Sequence, residues 1–159
     1  MAEFDSNAYL VKALDIDYDT PVFGYYKAFY KHYVFDVFAA VPHDVEINPY
    51  TLCRNTGIKT EDCYLYENDI VSYLAPLSDK IQYGFIDFDD HYKCYIVRTG
   101  IECRATRLLR DCVKIKNTGR NIALSDEDFK WFLQWEKEQW EETKSKVIDN
   151  SYCPSKFRR

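Results

Sequence analysis

The sequence predicts an α+β fold that is mainly β, with one amphipathic helix near the C-terminal end. Between residues 21 and 116, runs of Tyr, Phe, Val and Ile are broken by Gly, Pro and Asp, the pattern of short strands joined by turns. After Ser125 the pattern changes to three acidic residues and then to apolar residues at helical spacing. With 159 residues, the chain is long enough for a domain with its own core.

The first strongly structured stretch is PVFGYYKAFYKHYVFDVFAAV, which is dense in aromatic and β-branched residues. We predict two strands here, over about 22–29 and 32–40, with a turn near Lys31. One helix over 25–38 is the alternative, because the run is long and lacks proline.

Period-two alternation is clearest between residues 64 and 116. DIVSYLAP is predicted to form a strand that ends at Pro76. Residues 81–88 and 92–98 are predicted to form a hairpin around an acidic turn. RATRLLRD is predicted to form a short helical turn before a last strand in CVKIK.

These patterns predict three regions. Residues 1–50 form a lead-in and a β-hairpin subdomain, 51–122 form the β core, and 123–159 form the helix and a basic tail. Within the first region, 1–20 is acidic and without clear periodicity, so we expect it to be loosely held.

Composition narrows the classes of function. A net charge of −5 argues against a protein that coats nucleic acid through bulk charge. No apolar run approaches the roughly 18 residues of a membrane-spanning helix, and the acidic N-terminus does not read as a signal peptide. We therefore expect a cytoplasmic protein without a membrane contact. Its six cysteines lack zinc-site spacing and are expected to be reduced thiols, so no metal or cofactor is predicted.

The C-terminal helix is predicted over about 126–147, with Ser125 as its N-cap. At 100° per residue, one side of this helix is apolar and is expected to pack on the β core. Its members are Phe129, Leu133, Trp140 and Val147, with Phe132 beside them.

Two further tryptophans, Trp131 and Trp135, lie four residues apart on another side of this helix. One interpretation is that a loop or the N-terminal hairpin covers them. The other is that they form a contact for a protein partner or for a second copy of the chain, because exposed paired tryptophans suit such an interface.

The segment DTPVFGYYKAFYKHYVFDVF, followed by INPYTLCRNTGIKTEDCYLYENDIV, closely resembles the YopX-like proteins of bacterial prophages and phages, best over about 20–75. The matching positions are Gly24, Tyr25, Tyr26, Pro49, Thr51, Thr56, Gly57, Ile58, Tyr66, Glu67, Asp69, Ile70 and Val71. The resemblance implies a small SH3-like barrel of strongly bent strands with an N-terminal β subdomain. It also implies a phage or prophage origin and a bacterial cytoplasm. The tryptophan-rich helix lies beyond the usual end of the family pattern.

The triplet Glu67-Asn68-Asp69 is interpreted as a corner of the fold. The family has Glu-Gly-Asp here, so Asn68 stands where glycine indicates a positive φ, which asparagine tolerates best among the other residues. Asp69 is expected to bond the amides of the turn. We assign Gly57 and this triplet a structural role rather than a catalytic one.

An enzyme would need a cluster of reactive groups, and DFDDH is the only acid–imidazole cluster in the sequence. Asp87, Asp89 and His91 could bind a hard cation or place a base beside an acid. A solvated hairpin turn is the interpretation we prefer. The sequence has neither a glycine-rich phosphate loop nor a Gly-x-Ser-x-Gly elbow.

The segment 98–120 is basic, with seven Lys and Arg residues against two acidic ones. Small barrels bind nucleic acid on such a face. The alternatives are internal pairing with the acidic N-terminal segment, or docking of an acidic protein partner. The candidate binding residues are Arg104, Arg107, Arg110, Lys114 and Lys116.

The leading hypothesis is a non-enzymatic phage or prophage accessory protein that binds a host or phage protein. Phage proteins of this size often block host defences, so inhibition of a host defence system is the specific role considered. A nucleic-acid-binding module that uses the basic segment is the alternative. Self-association through Trp131 and Trp135 is also predicted, and an enzyme built on Asp87, Asp89 and His91 is the third hypothesis.

Overall fold

The computed structural model describes residues 10–60, 63–102 and 105–149, with side chains up to residue 142. These residues form two antiparallel sheets and one helix, which confirms the α+β, mainly β prediction. In chain order the elements are β1 (Val11–Leu14), β2 (Pro21–Phe29), β3 (Lys31–Asp36), β4 (His43–Glu46), β5 (Cys53–Lys59), β6 (Tyr64–Tyr66), β7 (Asp69–Leu74), β8 (Ile81–Asp89), β9 (Cys94–Arg98), β10 (Thr106–Leu108), β11 (Val113–Asn121) and α1 (Asp126–Asp149). The described part of the chain contains no helix that is long and apolar enough to cross a membrane.

The N-terminal sheet has six strands in the order β4-β3-β2-β1-β5-β6. Its longest hairpin is β2–β3, which confirms the two predicted strands and excludes the helical alternative. The turn comes one residue earlier than expected, at Tyr30, whose φ is 61°. The second strand ends at Asp36 rather than near residue 40, because the Asp36 carboxylate accepts hydrogen bonds from the amides of Phe38 and Ala39 and starts a turn.

The prediction that residues up to 20 are a loose lead-in is wrong for the part that the structure describes. Strand β1 lies inside the N-terminal sheet, between β2 and β5, and Ala13 is fully buried. The sequence conceals this strand because it has only four residues and one of them, Lys12, is a buried lysine. Residues 1–9 lie outside the described part.

The C-terminal sheet has five strands in the order β10-β9-β8-β7-β11. Strands β7 to β10 follow one another, with β8–β9 as the predicted hairpin, and β11 then returns to pair with β7. RATRLLRD, expected as a helical turn, contributes strand β10 followed by one 3₁₀ turn, Leu109–Asp111. Over the described residues neither sheet closes on itself.

Each sheet has its own apolar core. The core of the N-terminal sheet comprises Val11, Ala13, Val22, Val34 and Ile47. That of the C-terminal sheet comprises Leu65, Val71, Tyr73, Ile86, Val97 and Cys112. Leu65 belongs to β6 of the first sheet but packs into the second core, so the two sheets are joined through this strand.

Helix α1 begins as predicted, with the Asp128 amide donating to the Ser125 hydroxyl over 3.2 Å. Its packing face differs from the expected one. Phe132 is fully buried at the centre, whereas Trp140 is 37% exposed and Phe129 and Leu133 are half-buried. The side chain of Val147 lies outside the described residues. The side of the helix that carries Trp131 and Phe132 faces the sheet. The reason is that β8 presents Tyr83 and Phe85, which these larger aromatic rings cover.

Candidate functional site

A buried carboxylate holds the two sheets together. Asp69, 1% exposed, begins β7 and forms an ion pair with the Lys12 ammonium of β1. Its two oxygens also accept from the Tyr66 amide at 2.8 Å and from the side-chain amides of Asn121 at 2.9 Å and Asn117 at 3.3 Å. The Lys12 ammonium additionally lies 4.8 Å from the centre of the Tyr66 ring. Asp69 is therefore committed to structure. We call this buried cluster of Lys12, Tyr66, Asp69, Asn117 and Asn121 the junction between the two sheets.

The rest of the triplet forms the corner that the sequence predicts. Asn68 has a φ of 70°, which confirms the positive dihedral. Its backbone amide donates to the Ile86 carbonyl at 2.7 Å, and its carbonyl accepts from the Ile122 amide at 3.0 Å. The Glu67 carboxylate accepts from the Arg54 amide at 2.8 Å, and so ties the turn between β6 and β7 to β5. Gly57, with a φ of 78°, stands at a register shift between β5 and β6.

The thiol of Cys53 lies in the same buried cluster. The side-chain amides of Asn68 and Asn121 both lie 3.7 Å from its sulfur. Burial raises the pKa of the Cys53 thiol to about 11, so the sulfur is a neutral thiol near pH 7 rather than a nucleophilic thiolate. Cys112 has a pKa near 11 for the same reason, whereas Cys63 and Cys94 are exposed thiols.

The paired tryptophans pack against the sheet. The Tyr83 ring meets Trp131 edge-on at 5.1 Å and Trp135 at 5.4 Å between centroids, and Arg120 lies 4.6 Å from the Trp131 ring. Both tryptophans are half-buried. What covers them is β8 of the C-terminal sheet, instead of a loop or the N-terminal hairpin. Their indoles are thus engaged in holding α1 on the sheet.

The basic segment is divided by its contacts. Arg98 bonds Asp87 and Asp89 at 3.1 Å each, and Arg120 bonds Asp128 at 3.1 Å. These partners lie on β8 and α1, so the expected pairing with the acidic N-terminal segment is not what the described residues form.

The predicted binding residues of this segment are likewise not equivalent. The guanidinium of Arg107 stacks on the Tyr73 ring at 5.8 Å and is half-buried. Arg110, Lys114 and Lys116 are exposed, and none of the three forms an ion pair with the described residues. Arg104 lies outside the described residues.

The acid–imidazole cluster forms a hairpin turn. The Asp89 carboxylate accepts from the amides of His91 at 2.8 Å and Tyr92 at 2.9 Å. The hydrogen bond from the Tyr92 amide contributes most to holding the pKa of Asp89 below its usual range. The bond from the His91 amide and the Arg98 guanidinium lower this pKa further. His91 lies edge-on to Tyr92. Within the described ranges, no group of three or more His, Cys, Asp and Glu side chains could hold a metal ion.

One exposed surface of the N-terminal sheet was not predicted from the sequence. The register of the N-terminal sheet places side chains of three adjacent strands on one side, which we call the hairpin face. Its members are Phe23, Tyr25, Lys27 and Phe29 of β2, Lys31, Tyr33 and Phe35 of β3, and Asp44 and Glu46 of β4. Lys27 forms an ion pair with Asp44, and Lys31 with Glu46.

The hairpin face is open to solvent. Phe29 is 70% exposed, Phe23 39% and Phe35 37%, and Tyr30 at the turn is 98% exposed. The same side of the sheet continues into the junction, because Phe23 pairs with Lys12 in the register and its ring meets Tyr66 at 6.2 Å. Beside Phe23, Leu10, Phe38 and Tyr66 help to line a groove of about 460 Å³.

The exposure of this face was not predicted, because both sides of the hairpin carry apolar residues. Val22 and Val34 belong to the buried side, and Phe23 and Phe35 to the open side. Alternation of apolar residues indicates a strand but does not say which side another element covers. A signal was nevertheless present, since Lys27 and Lys31 share the aromatic side and charged side chains favour solvent.

Comparison with known proteins identifies no similar chain: no family model, no curated protein and no solved structure matches.

Proposed function

We propose that this protein acts without catalysis, by binding another protein through the hairpin face. The observation that carries the proposal is the exposure of Phe23, Phe29 and Phe35 on one side of a regular sheet. Monomeric soluble proteins rarely leave large contiguous apolar patches uncovered, and those that exist often mark interaction sites. Aromatic side chains are also the residues that most often dominate binding energy in protein interfaces.

Other surfaces are less suited to this role. Trp131 and Trp135 support α1 against Tyr83, so a partner could reach only their outer edges. Asp69 and Cys53 are buried within the junction, and Asp89 is committed to a turn. The hairpin face combines exposed aromatic rings with a rigid β scaffold, which limits the entropy lost on binding.

The biological setting comes from the YopX-like resemblance of residues 20–75. It supports a phage or prophage accessory protein in a bacterial cytoplasm whose partner is a host or phage protein. Inhibition of a host defence system is the specific role that we propose within this setting.

An SH3-like arrangement of the C-terminal sheet belongs to the same proposal. Four consecutive antiparallel strands are followed by a 3₁₀ turn, and β11 returns to pair with β7. Only four residues, 109–112, join β10 and β11 at opposite edges of the sheet, which requires the sheet to bend strongly.

The binding function is tested by affinity purification from bacteria that express the tagged protein, with variants of one exposed aromatic residue. We expect Phe35→Thr to lose the captured protein, because threonine keeps the strand but removes the ring. Tyr50→Ser is the matched control, since Tyr50 is 93% exposed outside the hairpin face. Capture that is equal for the wild type and both variants would contradict the proposal.

Nucleic-acid binding is the second candidate, favoured by the exposed cations Arg110, Lys114 and Lys116. Binding through phosphate contacts predicts that affinity for single-stranded or duplex oligonucleotides falls steeply as salt rises. Changing all three cations to Gln should then abolish binding at low salt. Absence of binding by the wild type at low salt would eliminate this candidate.

A further inference from the structure

We infer that the first occupant of the hairpin face is a second copy of the same chain, in a two-fold symmetric dimer. This inference rests on the proposed function and names the partner. It follows from how charged and aromatic residues are distributed over three strands, which the register fixes.

The charges of the hairpin face are balanced. Lys27 and Lys31 face Asp44 and Glu46, so the face is neutral in a chain with a net charge of −5. A surface built for a strongly acidic or basic partner carries an excess of the opposite sign. A neutral face with both signs is suited to a copy of itself, since Lys27 and Glu46 then each have an opposite charge available on the other chain.

The register also makes the face self-complementary. Lys27 pairs with Tyr33 and Tyr33 with Glu46, so these three residues form one row across β2, β3 and β4. A two-fold axis parallel to β3 exchanges the ends of this row between copies. Lys27 of one chain then lies over Glu46 of the second copy, and the reverse pair forms on the other side.

Aromatic residues occupy the centre of the same arrangement. Tyr33 and Phe35 belong to β3, so each lies close to its own counterpart across the axis. Lys31, at the start of the same strand, also lies near its counterpart and keeps its ion pair with Glu46 of its own chain. Two packed sheets lie about 10 Å apart, a gap that facing aromatic rings fill and that a lysine and a glutamate span together. The charged pairs thus surround an apolar centre, the usual anatomy of an interface.

The small extent of the hairpin face indicates a weak dimer. Three short strands give an interface at the low end of known sizes, below about 1,200 Å² of total buried area. We therefore expect a dimer that depends on protein concentration and forms between the micromolar and millimolar ranges.

The test is sedimentation velocity over that concentration range on the full chain. The wild type should move from the 18.9 kDa of one chain towards twice that mass. Phe35→Thr, Lys27→Glu and Glu46→Lys should each stay at the mass of one chain, because they remove the central ring or oppose like charges. Lys130→Glu, an exposed change on α1, is the matched control and should dimerise like the wild type.

Mixing the two charge variants gives the sharpest result. A one-to-one mixture of Lys27→Glu and Glu46→Lys restores both intermolecular pairs, so the mass should return towards that of a dimer. The mixing experiment remains decisive even if Phe35→Thr fails to fold. Circular dichroism would detect such a loss of fold. A wild type that stays at the mass of one chain, or a dimer that all three variants retain, would overturn the inference.

The inference and the proposed function fail in different ways. If the wild type is monomeric but Phe35→Thr loses a captured protein, the hairpin face binds a different protein and only the dimer is wrong. If Phe35→Thr changes neither mass nor capture, both the dimer and the proposed function are wrong.

Discussion

The two sheets of this protein cover their faces to different extents. In the C-terminal sheet, Ile86 and Val97 pack into the core on one side, while Tyr83 and Phe85 on the other side lie under α1. The N-terminal sheet has a comparable core on one side only. On its other side the junction covers the end near Lys12 and leaves the hairpin face open.

The same residue types are therefore covered in one sheet and exposed in the other. Phe85 of β8 is half-buried against the ring of Phe132 in α1, whereas Phe29 of β2 is 70% exposed. The difference between the two residues is that a helix covers Phe85. In the N-terminal sheet no described element covers the hairpin face, and we propose that a second chain covers it.

Asp69→Ala should have the largest effect, since this carboxylate joins the two sheets. Removing it leaves the Lys12 ammonium buried without its partner, which typically costs about 3–5 kcal/mol of unfolding free energy. Urea denaturation followed by circular dichroism measures the loss. Lys80→Ala, which removes the exposed pair with Glu142, is the control and should cost less than about 1 kcal/mol. Equal losses for the two variants would show that the junction is not the main support.

Phe132→Leu and Phe35→Thr compare the covered and open aromatic residues directly. Phe132→Leu leaves a gap beside Phe85 and Trp135 and should cost about 1–3 kcal/mol. Phe35→Thr, on the hairpin face, should cost less than about 1 kcal/mol at concentrations where the chain is monomeric. The same urea denaturation measures both, and a larger cost at Phe35 would mean that the face is covered within one chain.

Asn68 tests the corner between the sheets. Asn68→Ala should cost about 1–2 kcal/mol, because the polar side chain of asparagine offsets the strain of a φ of 70° through local hydrogen bonds that alanine cannot make. Asn68→Gly, the control, should change the unfolding free energy by less than about 0.5 kcal/mol, since glycine adopts this dihedral freely. If alanine and glycine were equivalent in the same denaturation measurement, the positive dihedral would not constrain the corner.

The buried thiols have no effect on the pH dependence at neutral pH, and their contribution changes only under alkaline conditions. Burial raises the pKa of Cys53 and Cys112 from 9.0 to about 11, so the folded state holds these protons more tightly than the unfolded chain. Their stabilising contribution is complete below pH 9 and is lost as pH rises towards 11. A Cys53→Ala/Cys112→Ala variant should show a shallower decline of unfolding free energy over this window. An identical decline would assign the alkaline loss to other groups.

Much of the fold follows from local sequence patterns. The β2–β3 and β8–β9 hairpins, the Ser125 cap and the positive φ of Asn68 each depend on residues close together in the chain. Strand β1 could not be predicted, because its burial depends on the Asp69 carboxylate, 57 residues further along the chain. The rotation of α1 escaped prediction for a similar reason, since the rings of Tyr83 and Phe85 decide which side packs.

The candidate site follows less directly from the sequence. The aromatic residues of β2 and β3 identify strands, but their exposure depends on whether another element lies over them. The basic segment looked uniform, yet Arg98 and Arg120 have acidic partners that lie 9 to 11 and 8 residues away in the sequence. Pairing across strands and onto a helix decides which cations remain available, and spacing alone does not reveal it.

Amide hydrogen exchange at several protein concentrations is the key measurement. It distinguishes a hairpin face that is open in the monomer from one that a second chain covers in the dimer. Covering a face raises the free energy of local opening, so the covered strands should exchange more slowly. We predict that protection of β2, β3 and β4 rises with concentration while protection of β7 and β8 stays constant. High protection of β2 to β4 that does not change with concentration would show that the hairpin face is covered within one chain and that no dimer forms on it.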